Sequence, residues 1–336
     1  MQKRENQMDF EQLFSKLASL RVLIVGDIML DTYWWGNVER ISPEAPVPVV
    51  ALKKKELRVG GAANVALNSA SIGAHTSIIS VIGKDQDGEE LIRLLKENKI
   101  DTSYIICSDQ RITTNKTRIM SRNQQMMRLD AEHTSDIDTA LQDAVLQQAK
   151  KFFAAHKPDV VILEDYNKGI LTQRVIKELI ELSREHGVIT TVDPKRKNFL
   201  NYQGVTIFKP NLKEVKEGLN LLTDHIDLSS LQEMHHALHQ HLQHEISFIT
   251  LSEKGVFYKQ GDQARIIPTH IRNIADVSGA GDTVIAVASL AYAASRDMHL
   301  AAEMANIAGG LVCEEVGTAA IDKDRLLQEC ELLLGA

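Results

Sequence analysis

Cysteine is scarce. Cys107, Cys313 and Cys330 are the three in 336 residues, widely separated and without a C-x-x-C spacing. That excludes a disulfide framework and a zinc knuckle, and reads as reduced thiols. No run of 18 or more apolar residues occurs, so no membrane span is expected. Met1 to Gln12 is polar and charged and lacks a signal-peptide core, which predicts a cytoplasmic location. A basic surplus is also missing: 38 Lys and Arg face 45 Asp and Glu, for a formal net charge of −7. A nucleic-acid-binding surface needs the opposite balance, so no nucleic-acid partner is expected. Neither G-x-x-x-x-G-K-[ST] nor a G-x-G-x-x-G after a strand is present, which excludes a Walker-type NTPase and a standard dinucleotide fold at the motif level. The protein-kinase catalytic-loop signature is absent too.

What remains is an ordinary globular composition, with 44% apolar and 25% charged residues. Strand-like runs at Val22–Val25, Ser77–Ile82, Asp159–Leu163, Val188–Val192, Val205–Phe208 and Ile246–Leu251 alternate with helical spacing at 87–97 and 171–185, and a short helix is expected from Asn211. Such alternation predicts a parallel sheet covered on both faces. Two stretches break the rhythm. Arg40–Val49 carries Pro43, Pro46 and Pro48, which cannot sit in a helix or a central strand. Residues 104–130 read as strands and turns without a helix. Together, residues about 33–58 and 104–130 are expected to form a small β lid on a single domain spanning 1–336.

The strongest chemical signal is Asp276-Val-Ser-Gly-Ala-Gly-Asp-Thr283, opening an apolar helix at 284–294. Gly279, Ala280 and Gly281 fall where backbone N–H groups lack partners and the helix dipole is positive, a setting suited to a phosphoryl group. Asp282 then sits beside this anion hole and can take a proton from an attacking hydroxyl. A glycine turn with a capping Asp is the plainer reading of the same residues. A second glycine pair, Gly60-Gly61, opens a helix at 62–72 together with Asn64. Asp27 and Asp31, just past the first strand, add carboxylates that can bind sugar hydroxyls at the strand ends. Asn211 and Glu214 have the spacing of a helix N-cap with its capping-box partner.

These two glycine motifs resemble the two signatures of the PfkB family of sugar kinases, and the similarity covers nearly the whole chain. The resemblance implies a three-layer, ribokinase-like α/β fold with a mainly parallel central sheet and a small β lid. It implies an ATP- and Mg2+-dependent phosphotransferase with an alcohol acceptor, Asp282 as base and Gly279-Ala280-Gly281 as anion hole. Asn211-Leu-Lys-Glu214 matches the family's N-x-x-E motif, tied to magnesium and phosphate handling. Thr250, Ser252 and Gly255 match its nucleotide-binding strand and turn, and Asn306 falls on the helix lining the adenine pocket. Asp276, with Gly317, lies where relatives hold a monovalent cation such as K+. Val277 departs from the Thr common at that position.

Within the family, Asp27–Asp31, Arg40–Val49, Ser121–Gln125 with Arg128–Asp130, and Asp165–Gly169 resemble the branch acting on D-glycero-D-manno-heptose 7-phosphate, in ADP-heptose and lipopolysaccharide core synthesis. Many members of that branch are fused to an adenylyltransferase with an H-x-G-H motif. None is present here, so a kinase-only version is expected. A phosphosugar needs cationic partners, and Lys116, Arg118, Arg122, Arg128, Lys168 and Lys195 are the candidates, with Arg118, Arg122 and Lys168 foremost. A kinase of an unphosphorylated sugar or nucleoside, and a catalytically inactive sugar-phosphate sensor, are the competing readings. Pairing of two lids into a homodimer is expected. The histidine-rich run at 233–245 keeps an apolar stripe and reads as an amphipathic surface helix, and Lys53–Lys55 as a solvated edge.

Overall fold

Short apolar runs ending at small or acidic residues set the architecture. The computed structural model describes residues 9–122, 124–223, 225–270 and 272–335. Asn123, inside one of the segments quoted above, and residues 1–8 lie outside that set. Along the chain come α1 (Phe10–Ser19), β1 (Arg21–Gly26), β2 (Ile28–Ile41), β3 (Pro48–Gly61), α2 (Ala62–Ile72), β4 (His75–Gly83), α3 (Gln86–Glu97) and β5 (Asp101–Ser108). Then follow β6 (Asn115–Ser121), β7 (Gln124–Ala131), α4 (Thr139–Ala155), β8 (Val160–Glu164), α5 (Gln173–Glu185), β9 (Ile189–Asp193), β10 (Ile207–Phe208), α6 (Leu212–Gly218) and α7 (Leu228–Leu242). The chain closes with β11 (Ile246–Thr250), β12 (Val256–Gln260), β13 (Gln263–Ile267), α8 (Ala280–Ser295), α9 (Met298–Val312) and α10 (Lys323–Leu334).

Nine strands form one sheet in the order β13-β12-β11-β10-β9-β8-β1-β4-β5. It is parallel from β11 to β5, while β12 and β13 run antiparallel at one edge. Successive side chains of a strand point to opposite faces, and both faces are apolar. Val22, Ile24, Val160 and Ile162 pack with α1, α2, α8 and α9. Leu23, Val25, Val161 and Leu163 pack with α4, α5 and α7. Burial on both sides is why these strands are continuous apolar runs rather than alternating ones. His235 of α7 and His244, two residues past its end, are buried and share the Ser247 hydroxyl, at 2.9 and 2.6 Å.

A second sheet, β3-β2-β6-β7, leaves the body at the carboxyl end of β1. β2 and β3 form a long hairpin whose tip carries Pro43 and Pro46, with Ile41 facing Pro48. β6 joins β2 in parallel, and β7 is the outer edge. The expected lid boundaries need correction. Tyr104–Ser108 belongs to β5 and pairs with β4 in the large sheet, where Tyr104 packs edge-on against Phe152 at 5.2 Å. The small sheet takes its second half from residues 115–131, and its first strand begins at Ile28.

Candidate functional site

The N-termini of α2 and α8 meet where the small sheet leaves the body. α8 starts at Gly279, which is left-handed (φ 79°), and no side chain caps the helix. A Cβ at Gly279 would lie 2.7 Å from Asn64 Nδ2, so the bare residue permits the two helix starts to touch. Asp282, in the first turn, is buried. Its Oδ2 accepts from Asn64 Nδ2 at 2.8 Å and its Oδ1 from the Tyr166 hydroxyl at 2.7 Å. Burial pushes its pKa up to about 6 against the pull of those two hydrogen bonds. The side of α8 that holds Gly281 is open: a Cβ there would come within ordinary contact of Asp193 Oδ2 (3.7 Å) and Lys209 Nζ (4.0 Å). Uncapped first-turn amides, a missing side chain and a nearby ammonium together make a cradle for an anion.

Behind the cradle lies an ionic chain that motif reasoning did not assemble. Lys209 is buried and bonds Asp193 at 2.8 Å. Lys195 bridges Asp193 and Glu214, at 2.9 Å each, and its ammonium sits 5.4 Å from the centre of the Tyr166 ring. Burial works against the Lys195 charge, yet Asp193 and Glu214 carry its pKa well above the usual lysine range. Asp193 is driven the other way: burial opposes its ionisation, and the two lysines outweigh it. The strand run ending at Val192 was legible in the sequence, but nothing there showed that Lys209 closes on the Asp193 and Lys195 that follow it. Tyr166 stood within a quoted segment without a role.

Asn211 caps α6 and Glu214 reaches back to the Asn211 amide at 2.8 Å, a complete capping box. The other Glu214 oxygen meets Lys195, so the cap and the charged role coexist. Asn211 also bridges to Thr250 at the end of β11. Ser252 (φ 57°) and Gly255 (φ 95°) shape the following turn, and a Cβ on Gly255 would overlap the Ile267 carbonyl. Asn306 of α9 donates to the Pro268 carbonyl at 2.8 Å. Thr250, Ser252, Gly255 and Asn306 thus cluster at the β11–β13 end of the site. Asp276 is committed to donors of two segments, accepting from Ser278 N and Oγ at 2.9 and 2.8 Å and from the Gly317 amide, past α9, at 2.9 Å.

At the other end, Asp27 does not present a free carboxylate. It is buried, and its oxygens accept from the amides of Tyr166, Lys168 and Ile170 at 2.8–3.2 Å. Its pKa is raised to about 6 by burial and by Asp165. Asp27 therefore anchors the loop that carries Tyr166, in place of the sugar contact expected of it. Asp31 lies on β2 and pairs with Arg118 of β6 at 2.5 Å. Gly60, diagonal to it on β3 and paired with Met29, leaves it room: a Cβ there would fall 2.4 Å from Asp31 Oδ2. Gly61 turns the chain into α2 with φ 60°. The Arg118 and Arg58 guanidiniums flank the Tyr33 ring at 5.2 and 5.1 Å. Arg58 further donates to the carbonyls of Val316 (2.6 Å) and Thr318 (3.1 Å).

The basic candidates separate into two groups. Lys168 is bound to Glu132 at 2.8 Å. Lys116 is half-buried; its carbonyl accepts from Arg118 Nη1 at 3.4 Å, and its ammonium lies in the field of Lys168, Glu132 and Asp130. Burial, then the neighbouring Lys168, hold its pKa down. Glu132, which Lys168 bonds, and Asp130 act on Lys116 in the opposite sense. Arg122, with φ 47°, lies exposed at the β6–β7 turn, away from Asp282, and the structure does not bring it to the others.

A family model described as pfkB family carbohydrate kinase matches residues 19–325. Bifunctional protein HldE of Syntrophotalea carbinolica is 38% identical over 322 residues, covering 95% of this chain and 64% of that protein. Bifunctional protein HldE of Methylobacillus flagellatus is 40% identical over 314 residues, covering 92% and 63%. The chain thus spans a little under two thirds of the length of these relatives. Among solved structures, phosphofructokinase-2 from Escherichia coli in complex with potassium superposes with a TM-score of 0.78 at 16% identity, over 94% of this chain and 100% of that one. Arabidopsis thaliana ribokinase complexed with ribose and ATP gives 0.70 at 15%, over 92% and 99%. At those identities the two structures speak for the ribokinase-like fold alone. The family model extends over nearly all of the sequence, and with it the chain takes its place in the PfkB family of carbohydrate kinases.

Proposed function

We propose that the chain transfers the γ-phosphate of ATP to the anomeric C1 hydroxyl of D-glycero-D-manno-heptose 7-phosphate, giving the 1,7-bisphosphate, within ADP-heptose and lipopolysaccharide core synthesis in the cytoplasm. One observation carries the phosphosugar reading. Lys116, at the start of β6, and Lys168, in the loop that carries Tyr166 to Asp282, are near enough for the Lys168 charge to act on Lys116. Lys168 is answered by Glu132, so an incoming phosphate would draw chiefly on the Lys116 ammonium. The name of the sugar rests on the resemblance of the sequence segments quoted above.

In this reading the sugar hydroxyl lies against Asp282. Its O–H bond breaks as its oxygen bonds the γ-phosphorus, the proton passes to Asp282, and the bond from γ-phosphorus to the ADP oxygen opens. Asn64 and Tyr166 hold the Asp282 carboxylate in place. The first-turn amides of α8 and the Lys209 ammonium meet the charge on the moving phosphoryl group. The 250–255 turn and Asn306 border the nucleotide. Bound magnesium supplies neutralisation of the ATP phosphates. Glu214, whose oxygens are held by Lys195 and the Asn211 amide, fits it as an outer partner through water. Asp276 has backbone donors on both oxygens, so a monovalent ion there would have to share them, and no step is assigned to one. The small sheet acts as a lid that excludes water from the transfer.

The test is ADP release over a panel: heptose 7-phosphate, the same heptose without phosphate, ribose, and fructose 6-phosphate. Preference for heptose 7-phosphate is expected. Equal turnover of the dephosphorylated heptose would remove the phosphate site from the reading.

A further inference from the structure

Glu164 is not used by the mechanism above, yet it lies beneath it. It ends β8, is 0% exposed, and neither carboxylate oxygen has a hydrogen-bond partner among the described residues. Its in-register neighbour on β9 is Asp193. The groups facing it are Asp193 from β9, Asp282 from α8, and Lys195 and Lys209 beyond β9 and β10; the hydroxyls of the half-buried Tyr166 and the buried Tyr202 lie within its field. A buried carboxylate without donors is among the most expensive groups a protein can hold, and the same group as an uncharged acid is far cheaper. The two lysines already answer Asp193, Glu214 and Asp282. A fourth negative charge would tip the floor of the anion cradle against the phosphates it receives.

We propose that Glu164 is a positioning residue for phosphoryl transfer: a neutral carboxylic acid under the first turn of α8 whose lack of charge keeps the cradle able to bind the nucleotide's phosphates. Burial, followed by Asp193 and Asp282, raises its pKa well above the ordinary glutamate range, in agreement with that state. The inference rests on the kinase reading but not on the identity of the sugar.

Its test is the affinity of the full chain for Mg·ATP without sugar, measured by calorimetry from about pH 7 to about pH 10. One coupled ionisation weakens binding by up to about tenfold per pH unit above its pKa. Near pH 7, Glu164→Gln should bind within about twofold of the unmodified protein, and Glu164→Leu should do the same because no hydrogen bond is lost. Over whatever pH range Glu164 ionises, the unmodified protein should weaken by more than either variant. A gain of about tenfold or more near pH 7 in either variant overturns the proposal, since it would show that Glu164 had been charged and opposing the phosphates. So does a loss of about tenfold or more near pH 7 in whichever variant folds, since that would show the charge or its hydrogen bonding to be needed.

Discussion

A general base works best when its pKa lies near the pH at which it acts, and the folded environment of Asp282 moves it toward that range. The competent form is the carboxylate, so kcat should fall as pH drops through about 6, the value set by burial, and hold above it. Asp282→Asn keeps the shape and removes the acceptor. Turnover should fall by roughly 10²–10⁴ with Mg·ATP affinity little changed. Near-normal turnover in a steady-state assay would end the assignment. Lys116 carries the second residue-scale prediction. A charge-assisted hydrogen bond to a phosphate contributes about 1.5–3 kcal/mol. Lys116→Gln should therefore raise KM for the phosphosugar roughly 10- to 150-fold and leave KM for ATP alone. A parallel rise for the dephosphorylated sugar would show that Lys116 does not meet the phosphate.

Elements decide whether these side chains can be where they are. The α6 start serves as a cap and as a charged group together, and the two uses can be parted. Glu214→Gln retains the capping-box acceptor but gives up the charge that faces Lys195. The magnesium concentration for half-maximal rate should rise while the melting temperature barely moves. A lower melting temperature with unchanged magnesium dependence would assign Glu214 to the cap alone. The glycine pairs were legible in the sequence as helix starts because bare backbone, followed by an apolar run, has few other uses. Both α2 and α8 begin where those pairs placed them. Tyr104–Ser108 was misplaced because nothing local distinguishes an edge strand of the large sheet from one of the small sheet; partner choice is made by β4, far away in sequence. For the same reason Asp27 looked like a ligand: its three amide donors come from residues about 140 positions on. Glu164 was visible only as an acid closing an apolar run, and its isolation exists only in three dimensions.

For the whole molecule, buried titratable groups pull in opposite directions as pH falls. Asp27 and Asp282, raised to about 6, bind protons in the folded state that the unfolded chain releases between about 4 and 6. They therefore add stability as pH falls through that window. His235 and His244, lowered by burial to about 4 and about 3, stay neutral while the unfolded chain protonates below about 6.5. They remove stability as pH falls from there. The double variant His235→Gln/His244→Gln should accordingly lose less melting temperature than the parent between about pH 6.5 and about pH 4.5. An equal loss would show that the pair does not govern acid sensitivity. The small sheet bears on assembly: Trp34, Leu52, Met127 and Leu129 are exposed on β2, β3 and β7. Such a face argues for burial against a second copy, and light scattering should give twice the 37.4 kDa chain mass. The monomer mass with full activity would exclude that pairing.

Arg58 stands on the small sheet, yet its guanidinium grips the carbonyls at Val316 and Thr318, and the place a Cβ would take on Gly279 is 3.2 Å from the Thr318 methyl group. Through Tyr33 and Arg118 the same guanidinium leans toward Asp31. In the proposed reaction the sugar at Asp31 and the phosphates at Gly279 would share this brace, which gives coupling between them a physical route, and any such coupling is reciprocal. Whatever factor the sugar imposes on ATP affinity, ATP must impose on the sugar, and cutting the brace with Arg58→Ala should bring that factor toward one for both.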